Sequence, residues 1–160
     1  MDEPWIYLAG PLFTRAETAF NRELAEGLRA GGYRVFLPQQ ECAHLDEPSL
    51  IYETCLRGLK GSCLVLAVLD GPDADSGTSF EVGWACALGI PVVGLRTDWR
   101  GTGEYLGLNL MLTHGCALLI LPSPPAVPGP GVVALKAERT SLEMVLETFA
   151  EVPAARNARA

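Results

Sequence analysis

The run Cys63-Leu64-Val65-Leu66-Ala67-Val68-Leu69 is apolar throughout and stops at Asp70-Gly71-Pro72-Asp73. A half-exposed strand would alternate polar and apolar side chains, so seven unbroken apolar residues read as a strand covered on both faces, the pattern of a central parallel sheet. Four further apolar runs, at residues 5–9, 33–37, 91–95 and 116–121, lie around it. Between the first two, Phe20, Leu24 and Leu28 repeat at helical spacing before the stop Gly31-Gly32. Helices are likewise expected over residues 49–59, 78–88 and 141–150. Strand alternating with helix predicts an α/β fold, a single-domain doubly wound (flavodoxin/Rossmann-like) five-stranded parallel sheet with flanking helices. The domain should run over residues 1–152, with 153–160 a flexible tail. Two stretches break the rhythm: the long connection 97–115, and 122–131 with five Pro and two Gly, which reads as a surface connection.

Composition narrows the function classes. The chain has 160 residues, 49% of them apolar, which suits one globular domain. Twelve Lys and Arg against 19 Asp and Glu leave a net charge of -7, the wrong sign for an extended nucleic-acid surface. No apolar run approaches the roughly 20 residues of a membrane span. The acidic start Met1-Asp2-Glu3-Pro4 is unlike a secretory signal, and a cytoplasmic location is expected. Five cysteines, at 42, 55, 63, 86 and 116, contain no C-x-x-C pair, and only His44 and His114 could add imidazole. Neither a disulfide framework nor a metal site is expected.

Ligands of open parallel sheets bind beyond the carboxyl ends of the strands. After the first strand stands Gly10-Pro11-Leu12-Phe13-Thr14, which has neither the G-x-G-x-x-G fingerprint nor a phosphate loop, and it leaves Tyr7 at the strand end with Phe13 able to wall a pocket. After the third come Asp70, Asp73, Asp75 and Glu81, four carboxylates in a dozen residues. Closely spaced carboxylates perturb one another and suit divided acid/base work. Thr78-Ser79-Phe80-Glu81 also fits a capping box, in which Glu81 would merely tie back the helix start. Placed near a helix N-terminus, Glu81 would instead be held as an anion and could attack a sugar anomeric carbon, with Asp75 approaching the same substrate. Asp70 also occupies the place of a receiver-domain phosphoacceptor, but such domains need an acidic pair and a Lys where this chain has Gly10-Pro11 and Pro122-Ser123.

Taken together, residues 6–13, the Phe36-Leu37-Pro38-Gln39 segment, Leu69-Asp70-Gly71, Asp75-Ser76-Gly77-Thr78-Ser79-Phe80-Glu81-Val82-Gly83, Arg96-Thr97-Asp98 and Asn109-Leu110-Met111 resemble the nucleoside 2-deoxyribosyltransferase family. The resemblance implies a retaining transfer of 2-deoxyribose between nucleobases, through a covalent glutamyl deoxyribosyl intermediate on Glu81. It implies that Asp75 assists protonation of the leaving base, that Tyr7 hydrogen-bonds the nucleophile, and that Gly10, Phe13 and Asp70 belong to the substrate site. Gln39 or Gln40 would contact the base. Asn109, on the sugar 5′-hydroxyl, and Met111 would be supplied by a neighbouring subunit, implying a homo-oligomer, a dimer or multiple of dimers. No cofactor is implied; the partners would be deoxyribonucleosides and free nucleobases, in nucleotide salvage. At one base-contacting position the family carries an Asp and this chain has Cys55, a weak donor and acceptor. The rival readings are an N-glycosidase acting on nucleosides or nucleoside 5′-monophosphates, and a nucleoside-binding module without turnover. The first would use Ser and Arg groups for phosphate where this chain has Leu12-Phe13-Thr14-Arg15 and Asn109.

Overall fold

The computed structural model describes residues 3–101, 105–123, 131–134, 136 and 138–159. In chain order the elements are β1 (Trp5–Ala9), α1 (Arg15–Ala30), β2 (Val35–Phe36), α2 (Pro38–Glu41), α3 (Pro48–Lys60), β3 (Ser62–Val68), α4 (Ser76–Ala87), β4 (Val92–Leu95), α5 (Leu110–Gly115), β5 (Leu118–Leu121), β6 (Val132–Ala134) and α6 (Ser141–Glu151), followed by a 3-10 helix, Pro153–Ala158. All strand pairs are parallel, in the order β2-β1-β3-β4-β5-β6. Strand order reverses between β1 and β3, where such sheets open a crevice for ligands.

The sheet therefore has six strands, not the expected five. Val132-Val133-Ala134 pairs with Leu119-Ile120-Leu121. Three residues beside a Pro- and Gly-rich stretch are too few to show a period, and only the open edge of β5 makes them a strand. Of the expected connection 122–131, residues 124–130 lie outside the described residues. The tail from 153, expected to fray, packs down instead. Ala155 and Ala158 are fully buried, the Ala158 carbonyl accepts from the Arg34 amide at 2.8 Å, and Tyr33 pairs with Arg159. Small side chains let this turn lie close against the sheet and cover apolar surface, a tertiary effect with no local signature.

Strand parity sorts the core into two faces. Ile6, Leu8, Leu64, Leu66, Val68, Val93 and Leu95 meet α1, α6 and the C-terminal turn. Tyr7, Ala9, Val65, Ala67 and Leu69 point the other way, toward α3 and α4. Tyr7 thus lies under the helices that follow β2 and β3. A one-residue slip of β1 would put it on the wrong side of the sheet.

The Phe36 ring stacks on Tyr7 (centroids 5.3 Å apart, 13° between planes) and presses on α3 at Gly58. A Cβ at Gly58 would come within 2.5 Å of that ring. Gly58→Ala is therefore expected to lower stability by about 1–3 kcal/mol through overpacking. Thermal denaturation should show the loss, and activity should fall with it, because the displaced ring rests on Tyr7. Among the described residues, no helix is long and apolar enough to cross a membrane.

Candidate active site

Helix α4 starts where Asp75 turns its side chain back to accept from the Thr78 amide at 2.7 Å and from Thr78 Oγ1 at 3.0 Å. Asp75 is thus the N-cap, and the expected box with Thr78 as cap and Glu81 as its partner does not form. Glu81 lies more than a turn inside the helix, on the side facing the sheet, and Tyr7 Oη donates to its Oε1 at 2.5 Å. One carboxylate oxygen is held, leaving Oε2 for chemistry.

The electrostatics differ from those expected of an anion kept at a helix start. The macrodipole acts within the first turn, whereas burial pushes the Glu81 carboxyl up to about 7; the Tyr7 hydrogen bond opposes this and the Asp75 charge adds to it. Burial, followed by the Glu81 charge, drives the Tyr7 hydroxyl far above its ordinary range, so Tyr7 stays a donor. Cys55 adjoins the pair: burial raises its thiol to about 11, against the lowering effect of a hydrogen bond with Tyr7 and with further increments from Cys42 and Glu81.

Glu81 opens onto a cavity of about 350 Å³ between α3 and α4, lined by Pro48, Ile51, Tyr52, Cys55, Leu56, Leu59, Gly77 and Phe80. Its volume falls in the roughly 300–1,000 Å³ range of small-molecule sites. Apart from Glu81, its side-chain polar atoms are the Cys55 thiol and the Tyr52 hydroxyl. Tyr52, Phe80 and Trp84 form an aromatic row along the two helices, with centroids 6.4 and 5.6 Å apart. This row escaped the sequence reading, because a stripe at helical spacing looks like ordinary core.

Other expected site residues are placed elsewhere. Asp70 is bound on both oxygens by Thr97, from its amide at 2.6 Å and its hydroxyl at 2.5 Å. It borders a separate crevice of about 220 Å³ with Pro11, Phe20, Asn21 and Gly71, so the four carboxylates do not form one cluster. Gly10 packs tightly against Asn21 and Val68. Gln39 donates to the Thr18 carbonyl and Gln40 accepts from Arg29, at 2.9 and 2.8 Å. Asn109 caps α5 by accepting from the Met111 amide, and Met111 is 74% exposed, as is Phe13 at 77%. None of Gln39, Gln40, Phe13, Asn109 and Met111 is among the residues lining the Glu81 cavity.

The family model for nucleoside 2-deoxyribosyltransferases matches residues 6–151, nearly the whole chain. The chain belongs to the nucleoside 2-deoxyribosyltransferase family. No curated protein matches it. Among solved structures, a conserved protein from Enterococcus faecalis V583 is 30% identical with a TM-score of 0.70, the alignment covering 92% of this chain and 98% of that one. A 2-deoxyribosyltransferase from Bacillus psychrosaccharolyticus is 26% identical over 71% of this chain and 83% of its own, with a TM-score of 0.60. A CMP N-glycosidase from Clostridium botulinum, 16% identical over 92% of this chain and 98% of its own (TM-score 0.54), shares the fold alone.

Membership in this deoxyribosyltransferase family makes the Glu81 titration testable. A reaction that uses the Glu81 carboxylate should show kcat/KM falling as pH drops below about 7, where the buried acid takes up its proton. Tyr7→Phe removes the hydrogen bond that opposes this rise. The acidic limb should then move to higher pH and turnover should drop; an unmoved limb would place the titration on another group.

Proposed function

We propose that the chain transfers 2-deoxyribose between nucleobases by two displacements at Glu81. In the first, Oε2 forms a bond to C1′ as the C1′–N bond breaks, and the base leaves with its electron pair and takes a proton. In the second, a nitrogen of the incoming base forms a new bond to C1′, gives up its proton to balance the one the leaving base took, and frees the carboxylate. Inversion twice restores the original configuration. The observation that carries this reading is the buried Glu81 carboxyl, held by Tyr7 and facing an otherwise apolar cavity. An apolar wall favours a flat aromatic base and keeps water from the ester.

Asp75 is close enough for its charge to act on Glu81. With Oδ2 committed to the helix cap, Oδ1 is the oxygen assigned to the leaving base. No Lys or Arg lines the cavity among the described residues, so neutral nucleosides fit it better than their 5′-phosphates. The exposed Asn109 and Met111 of a second copy would close the sugar end, making the active unit a homo-oligomer. A role in nucleotide salvage follows from this chemistry.

The test is to incubate the protein with 2′-deoxyinosine and adenine and to separate the products. Deoxyadenosine and hypoxanthine in equal amounts are expected. Hypoxanthine without a new nucleoside would make the protein a hydrolase, and unchanged reactants a binding module.

A further inference from the structure

Two thiols meet at the rim of the Glu81 cavity. Cys42 is the residue that ends α2, Cys55 stands in α3, and their Sγ atoms are 4.0 Å apart. Both are free and only partly buried. A disulfide needs the two atoms at about 2.05 Å, so closure asks for roughly 2 Å of approach, within reach of side-chain rotation and a small shift of the four-residue α2. Cys55 faces two ways: it also lines the cavity and adjoins the Tyr7 hydroxyl closely enough for each group to shift the other's titration. Withdrawing its sulfur toward Cys42 changes the wall of the cavity and the surroundings of the hydroxyl that holds Glu81.

We propose that Cys42 and Cys55 form an oxidative modification site, converted by a peroxide-class oxidant into a disulfide that silences the pocket and is reopened by a dithiol. Sulfur of Cys42 attacks the peroxide O–O bond, becoming a sulfenic acid and releasing one water; Cys55 sulfur then displaces the hydroxyl of that acid as a second water. Two thiols and one hydrogen peroxide thus give one disulfide and two waters: sulfur is oxidised by two electrons and the peroxide oxygens reduced. The high proton affinity of the Cys55 thiol suits it to the second step rather than the first. The cross-link itself stands on geometry alone; its effect on turnover rests on the transfer reaction proposed above.

The test treats the reduced full chain with hydrogen peroxide and reads three things: free thiols, the cross-linked peptide by mass spectrometry, and transfer from 2′-deoxyinosine to adenine. Thiols should fall from five to three, with the bond mapped between Cys42 and Cys55. Transfer should drop by roughly tenfold or more, the equivalent of a lost hydrogen bond, and return with dithiothreitol. Cys42→Ser should keep the reduced protein's activity and resist the oxidant, whereas Cys86→Ser should respond as the parent does. Five surviving thiols, or a bond mapped to other cysteines, would overturn the site. A mapped Cys42–Cys55 bond with undiminished transfer would overturn the silencing. Because thiols and mass are read independently of turnover, a protein that never transfers deoxyribose still tests the cross-link.

Discussion

Glu81→Gln is expected to reduce deoxyribosyl transfer by about 10⁴-fold or more while leaving the protein folded. The amide keeps the shape and can still accept from Tyr7, so the 2.5 Å contact need not be lost. What disappears is the carboxylate oxygen on which the proposed displacement depends, for which a neutral amide is no substitute. The stability effect runs the opposite way. With its folded pKa raised to about 7 from the ordinary 4.5, Glu81 favours folding most below pH 4.5, and that contribution is lost as pH rises through about 7. Above pH 7 the parent carries a buried charge that the variant lacks. Glu81→Gln should therefore be more stable than the parent at pH 8, by up to roughly 3 kcal/mol, and melt higher. Transfer kinetics and thermal melts at pH 5 and pH 8 check both halves. Turnover close to that of the parent would remove Glu81 from the chemistry; a variant that unfolds would make its role structural.

Arg96→Met is expected to be the most destabilising single substitution considered, at about 3–5 kcal/mol. Arg96 is 1% exposed, at the end of β4, and reaches across to the end of β3, donating to the Leu69 carbonyl at 2.6 Å and the Gly71 carbonyl at 2.8 Å. Its guanidinium also pairs with Asp98 at 3.0 Å, while Asp98 accepts from the Gly71 amide at 2.7 Å. Methionine can fill much of the volume but leaves the two carbonyls without their donor and Asp98 with only the exposed Arg100 as its cation. For a chain of this size the midpoint of thermal unfolding should fall by roughly 6–20 °C. Arg96→Lys should sit between, since an ammonium keeps the charge but not the planar fork. The segment that Arg96 holds leads directly into Asp75, so residual folded protein should also be impaired in transfer. A melting point within 2 °C or so of the parent would show that the clasp is dispensable.

Legibility in the sequence followed the range of the interactions involved. The apolar run of β3 was visible because burial on both faces leaves no polar position within it. Tyr7, Asp75 and Glu81 could be named as a group through the motifs that resemble the family, with Asp75 and Glu81 also standing out by their place after β3. The reading of Glu81 as an anion stabilised by a helix start did not hold, because the cap is Asp75 and the glutamate sits deeper. Asp70 looked equivalent to Asp75 in sequence, yet strand parity and Thr97 commit it elsewhere. Gln39 and Gln40, expected at the base, bond to Thr18 and Arg29 in this structure.

The sequence by itself determined the α/β class, most of the parallel strands and, through its motifs, the family and the grouping of Tyr7, Asp75 and Glu81. The first two depend on periodicity within short segments, which the covalent chain preserves, and the others on the resemblance of motifs spread along the chain to those of the family. Only the tertiary structure decided the sixth strand, the packed C-terminal turn, the upward shift of the Glu81 pKa, the apolar cavity between α3 and α4, and the meeting of Cys42 with Cys55. Those depend on desolvation and on contacts between segments distant in the chain, quantities that exist only once the sheet and helices have closed around them.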